Sequence, residues 1–139
     1  TVQKEVAERI VSKTPHMNLL ALSTAAYADA RVIADVPASC FRPEPKVTSS
    51  IIKISRISED FFAKNGLTPE VFFSVAKKGF SSKRKMLTGT LRSFAPRERI
   101  VEILANAGIA ANSRPQELSP QNWADIVRAL STADDRTQP

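Results

Sequence analysis

Arg31-Val32-Ile33-Ala34-Asp35-Val36 and Val47-Thr48-Ser49-Ser50-Ile51-Ile52-Lys53-Ile54 are the two stretches on which the fold turns. Both are rich in β-branched residues and read as strands. The second ends with apolar residues on both faces. Strands of that kind need a sheet larger than a pair, and an isolated hairpin is only marginally stable in water. No other strand is evident along the chain. The expectation is an α/β remnant whose missing strands lie upstream of Thr1 on a longer parent. A chain that opens on Thr and has its first methionine at Met17 fits that expectation. The alternative is that two copies complete each other through open strand edges.

The linker between the two strands is Pro37-Ala38-Ser39-Cys40-Phe41-Arg42-Pro43-Glu44-Pro45-Lys46. Three prolines in ten residues predict a stiff, extended loop. Its one aromatic, Phe41, makes it a candidate site; a plain connector is the other reading.

The flanking segments read as helices. Over residues 2–12, Val2, Val6, Ile10 and Val11 share a stripe at helical spacing while Lys4, Glu5, Glu8 and Arg9 face away. Residues 18–29 form a second, mostly apolar helix that should be largely buried. From Ser58 onward the pattern is helical only. Glu59-Asp60 suits the start of a short helix. Thr68-Pro69-Glu70 is a start signal for a helix over 69–79. Residues 82–94 carry Leu87, Leu91 and Phe94 at helical spacing. Pro96 opens another helix that Gly108 stops, and Ser119-Pro120 opens the last, with Trp123, Ile126, Val127 and Leu130 on one face. Two regions result: a mixed α/β region, 1–57, and a small all-α region, 58–131. A polar tail, 132–139, is expected to be disordered.

Composition removes several chemistries. One cysteine, Cys40, excludes an internal disulfide, and with one histidine, His16, it cannot build a protein zinc site. Cys40 reads as a small buried hydrophobe. The four glycines are too far apart for a G-x-G-x-x-G or Walker A loop. There is no apolar run long enough to span a membrane and no signal peptide, so a cytoplasmic protein with no membrane partner is expected.

The charge is concentrated. Residues 77–99 hold Lys77, Lys78, Lys83, Arg84, Lys85, Arg92, Arg97 and Arg99 against one acid, Glu98, a local +7 in a chain of net +6. Such a block is either a solvated helix face or the footprint of a phosphate binder, and the lack of acid partners favours the latter. Phe80 and Phe94 look placed for a core, so phosphate and sugar contacts are expected over base stacking, with recognition by shape.

The loop Phe41-Arg42-Pro43-Glu44-Pro45-Lys46-Val47, followed by Ser49, resembles the F-x-P-x-P-K-V-x-S signature of the ribosomal RNA adenine dimethyltransferases. Gln3-Lys4-Glu5-Val6-Ala7-Glu8-Arg9 is similar to that family's Q-K-E-V-x-x-R helix. Phe80-Ser81-Ser82-Lys83-Arg84-Lys85-Met86-Leu87 is similar to its F-x-x-R-R-K segment. Gly108-Ile109 and Arg114-Pro115-Gln116-Glu117-Leu118-Ser119 are similar to its G-I and R-x-E-x-L/I-S stretch. The likeness runs from Val2 to about Leu130 and is nearest the bacterial small-subunit, kasugamycin-sensitivity subgroup. His16-Met17-Asn18-Leu19-Leu20 departs from the Gly-Arg-Leu-type sequence common there.

The resemblance implies a Rossmann-like methyltransferase sheet followed by a helical domain. It implies S-adenosylmethionine as methyl donor and two adjacent adenines of small-subunit ribosomal RNA, in the immature 30S particle, as targets. Phe41 matches the aromatic that stacks on the flipped-out adenine; stacking is worth ~1–3 kcal/mol. Pro43 and Pro45 would stiffen the loop, and Lys46 would touch the RNA backbone. Lys77, Lys78, Lys83, Arg84, Lys85 and Arg92 would bind RNA on the docking region. The family's Gly-rich cofactor loop, acidic ribose contact and Asn-(Leu/Ile)-Pro-Tyr motif are not in this sequence. This chain alone is therefore expected neither to bind S-adenosylmethionine nor to methylate. Three other readings stand beside this one: a non-catalytic RNA-binding or ribosome-assembly module, a large-subunit (macrolide-resistance type) methyltransferase, and a helix-turn-helix DNA binder using 69–79 and 82–94.

Overall fold

The computed structural model describes residues 1–137. Two long strands, β2 (Asp29–Val36) and β3 (Ser49–Ser55), pair antiparallel, and a short strand β1 (Val2–Gln3) joins the other side of β3. The order is thus β1-β3-β2. Val2 and Gln3 were expected to begin a helix. They extend because they sit opposite Ser50 and Ser49 in the ladder. In β2 the register steps between Val32 and Ala34, so Ile33 is an extra residue: a β-bulge.

Helix α1 (Lys4–Ile10) follows β1 directly, with only Ala7 fully buried. Its start is pinned to the sheet twice. The Lys4 amide donates to the Thr48 carbonyl at 2.9 Å, and the Lys4 ammonium lies 3.2 Å from Asp35 Oδ2. Asp35 also accepts from the hydroxyl of buried Ser50 at 2.7 Å, across the β2–β3 rung. The Ser50 hydrogen bond first, then Lys4, holds the Asp35 carboxyl below its ordinary 3.8.

Helix α2 (Leu19–Tyr27) lies between the sheet and the rest of the chain. Asn18 caps it by accepting from the Ala21 amide at 2.9 Å. The same side chain donates to the Arg9 carbonyl at 2.9 Å, tying the end of α1 to the start of α2. From Asp60 to Thr137 every regular element is helical: α3 (Asp60–Asn65), α4 (Pro69–Gly79), α5 (Leu87–Thr90), α6 (Arg97–Asn106) and α7 (Pro120–Thr137), with a single 3₁₀ turn at Pro115–Glu117. Thr68 caps α4 by accepting from the Val71 amide at 3.3 Å. Gly66, at φ 65°, ends α3 in the left-handed region that glycine occupies without strain. Ser119 and Asn122 exchange side-chain and backbone hydrogen bonds at the start of α7. That helix continues to Thr137 where the sequence suggested a disordered tail from 132. Residues 138 and 139 lie outside the described residues.

One hydrophobic cluster crosses the sequence boundary at 57/58. Met17, Ala21, Leu22 and Ala26 pack with Phe62, Phe72, Leu104 and Trp123. At its centre Trp123 is fully buried and lies 5.5 Å, centroid to centroid, from Phe80. A Cβ built on Gly79 would fall 2.9 Å from Trp123 Cζ3 and closer still to Cη2. The last residue of α4 is therefore glycine because the indole occupies the space of any side chain.

The helix expected over 82–94 shrinks to Leu87–Thr90. In a longer helix the Leu87 amide would bond the Lys83 carbonyl. Instead the Leu87 amide donates to Ser113 O at 3.0 Å, and the Lys83 carbonyl accepts from Gln116 Nε2 at 3.5 Å. The 113–116 segment takes both partners. Three consecutive cations and Gly89 give the helix nothing to compete with. Leu87 and Leu91 are fully buried as expected, but Phe94, expected in the core, is 40% exposed. The proposed helix-turn-helix pair is thereby lost, because its second helix is one turn long.

Two stability predictions follow from this packing. Gly79→Ala should lower stability by about 1–3 kcal/mol through overpacking, against a gain of at most about 1 kcal/mol in helix propensity; a thermal melt at or above the unmodified chain's would contradict the Trp123 contact. A depressed carboxyl pKa stabilises the fold above the ordinary value, and this contribution is lost as pH falls through the folded-state value. Asp35→Asn should therefore lower the denaturation midpoint near neutral pH, and the gap from the unmodified chain should close below pH 3.8. A gap independent of pH would show that ionised Asp35 does not lock the strands.

Candidate nucleic-acid interface

The loop that carries Phe41 begins where the β2–β3 ladder ends, at the Val36–Ser49 rung. Pro37 leads into a 3₁₀ turn, Ala38–Cys40, held by amide-to-carbonyl bonds from Cys40 to Pro37 at 3.0 Å and from Phe41 to Ala38 at 3.1 Å. Phe41 is extended, with φ −116° and ψ 149°, and half-buried. The Arg42–Pro43 peptide is cis. Arg42, Pro43, Glu44 and Lys46 are exposed and Pro45 is half-buried. The loop with three prolines thus carries one half-buried aromatic among exposed charged and proline side chains. Cys40 is exposed and not the buried hydrophobe the sequence suggested. The loop's far end is tied to α1 through Thr48, and its root is braced by the Asp35–Ser50–Lys4 lock.

The basic residues occupy three local settings. Lys77 and Lys78 lie in the last turn of α4, where cations complement the helix dipole. Lys83, Arg84 and Lys85 lie on the turn before α5, and Arg92 just after it. All six are exposed. None of the six is in an ion pair among the described residues, whereas Arg99 pairs with Glu102 at 3.1 Å. A surface of unpaired cations is available to a polyanion without first breaking internal salt bridges. Phe94, exposed within this stretch, adds an aromatic that the sequence had assigned to packing.

Residues of helix α1 line two clefts, one shared with the end of the Phe41 loop and one with Lys83. A shallow cleft runs between Gln3, Lys4, Glu5 and Glu8 on one side and Val47 and Thr48 on the other. A second, of about 610 Å³, lies between Glu5, Arg9 and Lys83, with His16 and Gln116 on its walls. Sequence reasoning missed Arg9, Asn18 and Gln116 as parts of this junction. Arg9 and Gln116 fall inside segments that already carried the family resemblance, but nothing in their spacing shows that they meet.

Among the described residues no three His, Cys, Asp or Glu side chains could hold a metal ion. A nucleotide-type cofactor needs a backbone approach at a strand-to-helix turn, which glycine permits. The strand-to-helix connections here, β1 to α1 and β3 to α3, contain no glycine. Gly66 and Gly108 lie at helix ends and Gly79 is filled by Trp123. With Gly89 inside α5, no glycine stands at a strand-to-helix turn among the described residues. No helix among the described residues is long and apolar enough to cross a membrane.

Comparison with known proteins agrees with the motif reading. A model of the family described as ribosomal RNA adenine dimethylase matches residues 1–132. The chain is 38% identical to the ribosomal RNA small subunit methyltransferase A of Parasynechococcus marenigrum over 96% of its own length and 45% of the relative's. It thus spans about half the length of the curated relatives it matches. Among solved structures, a dimethyladenosine transferase from Plasmodium falciparum superposes with a TM-score of 0.76 at 20% identity, over 95% of this chain and 56% of that one. The 23S rRNA methyltransferase ErmE superposes with a TM-score of 0.65 at 21% identity, over 93% and 52%. At those identities the likeness is one of fold. With residues 1–132 matched by its model and more than a third of its positions shared with a curated relative, this chain belongs to the ribosomal RNA adenine dimethylase family.

Proposed function

We propose that this chain is the C-terminal portion of an S-adenosylmethionine-dependent enzyme that places two methyls on adenine N6 in small-subunit ribosomal RNA, acting on the immature 30S particle. Residues 1–57 are then the end of the methyltransferase domain and 58–131 its RNA-docking region. The observation that carries this reading is the Phe41 loop: an aromatic and two prolines on a braced strand pair, in a chain of this family. Phe41 stacks on the extruded adenine, Pro43 and Pro45 restrict the loop, and Lys46 at its rim contacts the backbone. Lys77, Lys78, Lys83, Arg84, Lys85 and Arg92 supply the sequence-independent attraction. Val32, Ile33, Ile51 and Ile54, all at least 39% exposed, are what a larger sheet in the parent would cover. The methyl donor's seat belongs to that remaining part.

The chemistry this chain contributes is positional. Unstacking a base costs a few kcal/mol, which an aromatic platform offsets while the amine is held for transfer. Phe41→Ala, in the full-length parent, should reduce methyl transfer about ten- to a hundredfold, the equivalent of the lost stacking energy. Docking on the 30S particle should change little. Equal losses in both would show that Phe41 serves folding instead. Calorimetric titration of the 139-residue chain with S-adenosylmethionine should show no heat of binding; micromolar affinity would contradict the division of labour. Methylation mapped to large-subunit RNA would transfer the parent to the macrolide-resistance group.

A further inference from the structure

We propose, independently of the RNA reading, that Asn65-Gly66 is a modification site. It is a self-deamidating pair whose conversion is held off by the contact between α3 and α7 and released when those helices separate.

Of the five asparagines in the chain, only Asn65 precedes a glycine. In such a pair the main-chain nitrogen of Gly66 attacks Asn65 Cγ. The new N–Cγ bond forms as the Cγ–Nδ2 bond breaks, the Gly66 nitrogen gives up its proton, and Nδ2 leaves as ammonia. Water then opens the cyclic imide at either carbonyl and leaves aspartate or isoaspartate. Water is the one co-reactant, and nothing is oxidised or reduced. Glycine matters because the attacking nitrogen belongs to a residue with no side chain to obstruct it. Nothing lies within 4 Å of where a Cβ on Gly66 would stand, so no neighbouring element crowds the pair on that side.

The folded chain engages each group that the reaction needs. Asn65 is buried at the end of α3, and its Nδ2 donates to the Phe61 carbonyl at 2.7 Å. Its Oδ1 accepts from Gln121 Nε2 at 2.8 Å and from Arg128 Nη1 at 3.3 Å, both on α7. Asp125 accepts from the same two side chains and keeps them in place. The Gly66 amide donates to the Ala63 carbonyl at 3.2 Å. Both bonds to Oδ1 come from α7, so separation of α3 from α7 frees the amide to turn toward the Gly66 nitrogen. The products do not rebuild the contact. An aspartate at 65 places an oxygen where Nδ2 donates, facing the Phe61 carbonyl without a proton between them. Isoaspartate lengthens the main chain by a methylene just before the left-handed turn at Gly66. Conversion therefore records each opening irreversibly.

The test is peptide mapping by mass spectrometry of the full chain incubated at mildly alkaline pH, with conversion followed separately at Asn65 and at exposed Asn112. Gln121 and Arg128 are exposed, so Gln121→Ala and Arg128→Ala remove donors without opening the core. Each should speed conversion at Asn65 about three- to tenfold, the equilibrium equivalent of one lost hydrogen bond. Neither should change the rate at Asn112. In denaturant Asn65 should convert faster than any other asparagine of the chain. Asp35→Asn weakens the sheet half through Ser50 and Lys4 and should leave the Asn65 rate as it is. Asn65 rates in both α7 variants equal to that of the unmodified chain would overturn the proposal. So would a denatured chain in which Asn65 stays intact, because the pair would then lack the reactivity. If Asp35→Asn accelerates Asn65 as much as Gln121→Ala does, or if the α7 variants accelerate Asn112 equally, conversion follows unfolding of the whole chain and the α3–α7 contact is not the gate.

Discussion

The Trp123 indole, with no solvent exposure, is the constraint around which the helical half is arranged. Its ring occupies the space above Gly79, so α4 and α7 approach as closely as backbone against aromatic permits. Phe80 packs against the same ring at the C-terminal cap of α4, where the helix ends. That exit throws residues 81–86 into a turn and brings the three consecutive cations to the surface. The three cations of that turn thus lie next to the tightest contact of the core.

The sheet half depends on a smaller lock. Asp35, Ser50 and Lys4 join both long strands and the first helix at the root of the Phe41 loop. A loop of this length has little secondary structure of its own and takes its position from its ends. Here one end leaves the last rung of the ladder and the other is bonded to α1. Because α2 packs into the helical core while α1 is tied both to α2 and to the sheet, the loop and the cationic turn are held in one framework.

Where local chemistry decides structure, the sequence was a sufficient guide. The β-branched runs became β2 and β3. Thr68-Pro69 and Ser119-Pro120 opened α4 and α7 where capping physics puts them, and Pro96 preceded α6. Where a distant segment competes, it was not. Nothing in residues 82–94 shows that Ser113 and Gln116 will take the backbone partners of their expected helix. Val2 and Gln3 carry a helical stripe, but β3 recruits them into the sheet. The cluster of exposed basic residues was legible because charge is additive along the chain. Arg9 and Gln116 were not, because their meeting is a product of folding. Phe41 was singled out by its motif, whereas its extended backbone and half-burial belong to the structure.

The extra residue at Ile33 makes the two borders of the sheet unlike. A bulge increases local twist and breaks the even spacing of outward amides and carbonyls, so β2 offers a poor template for a further neighbour. The opposite margin, at Val2 and Gln3, is regular but only two residues long. The two borders are thus unequal templates for backbone pairing.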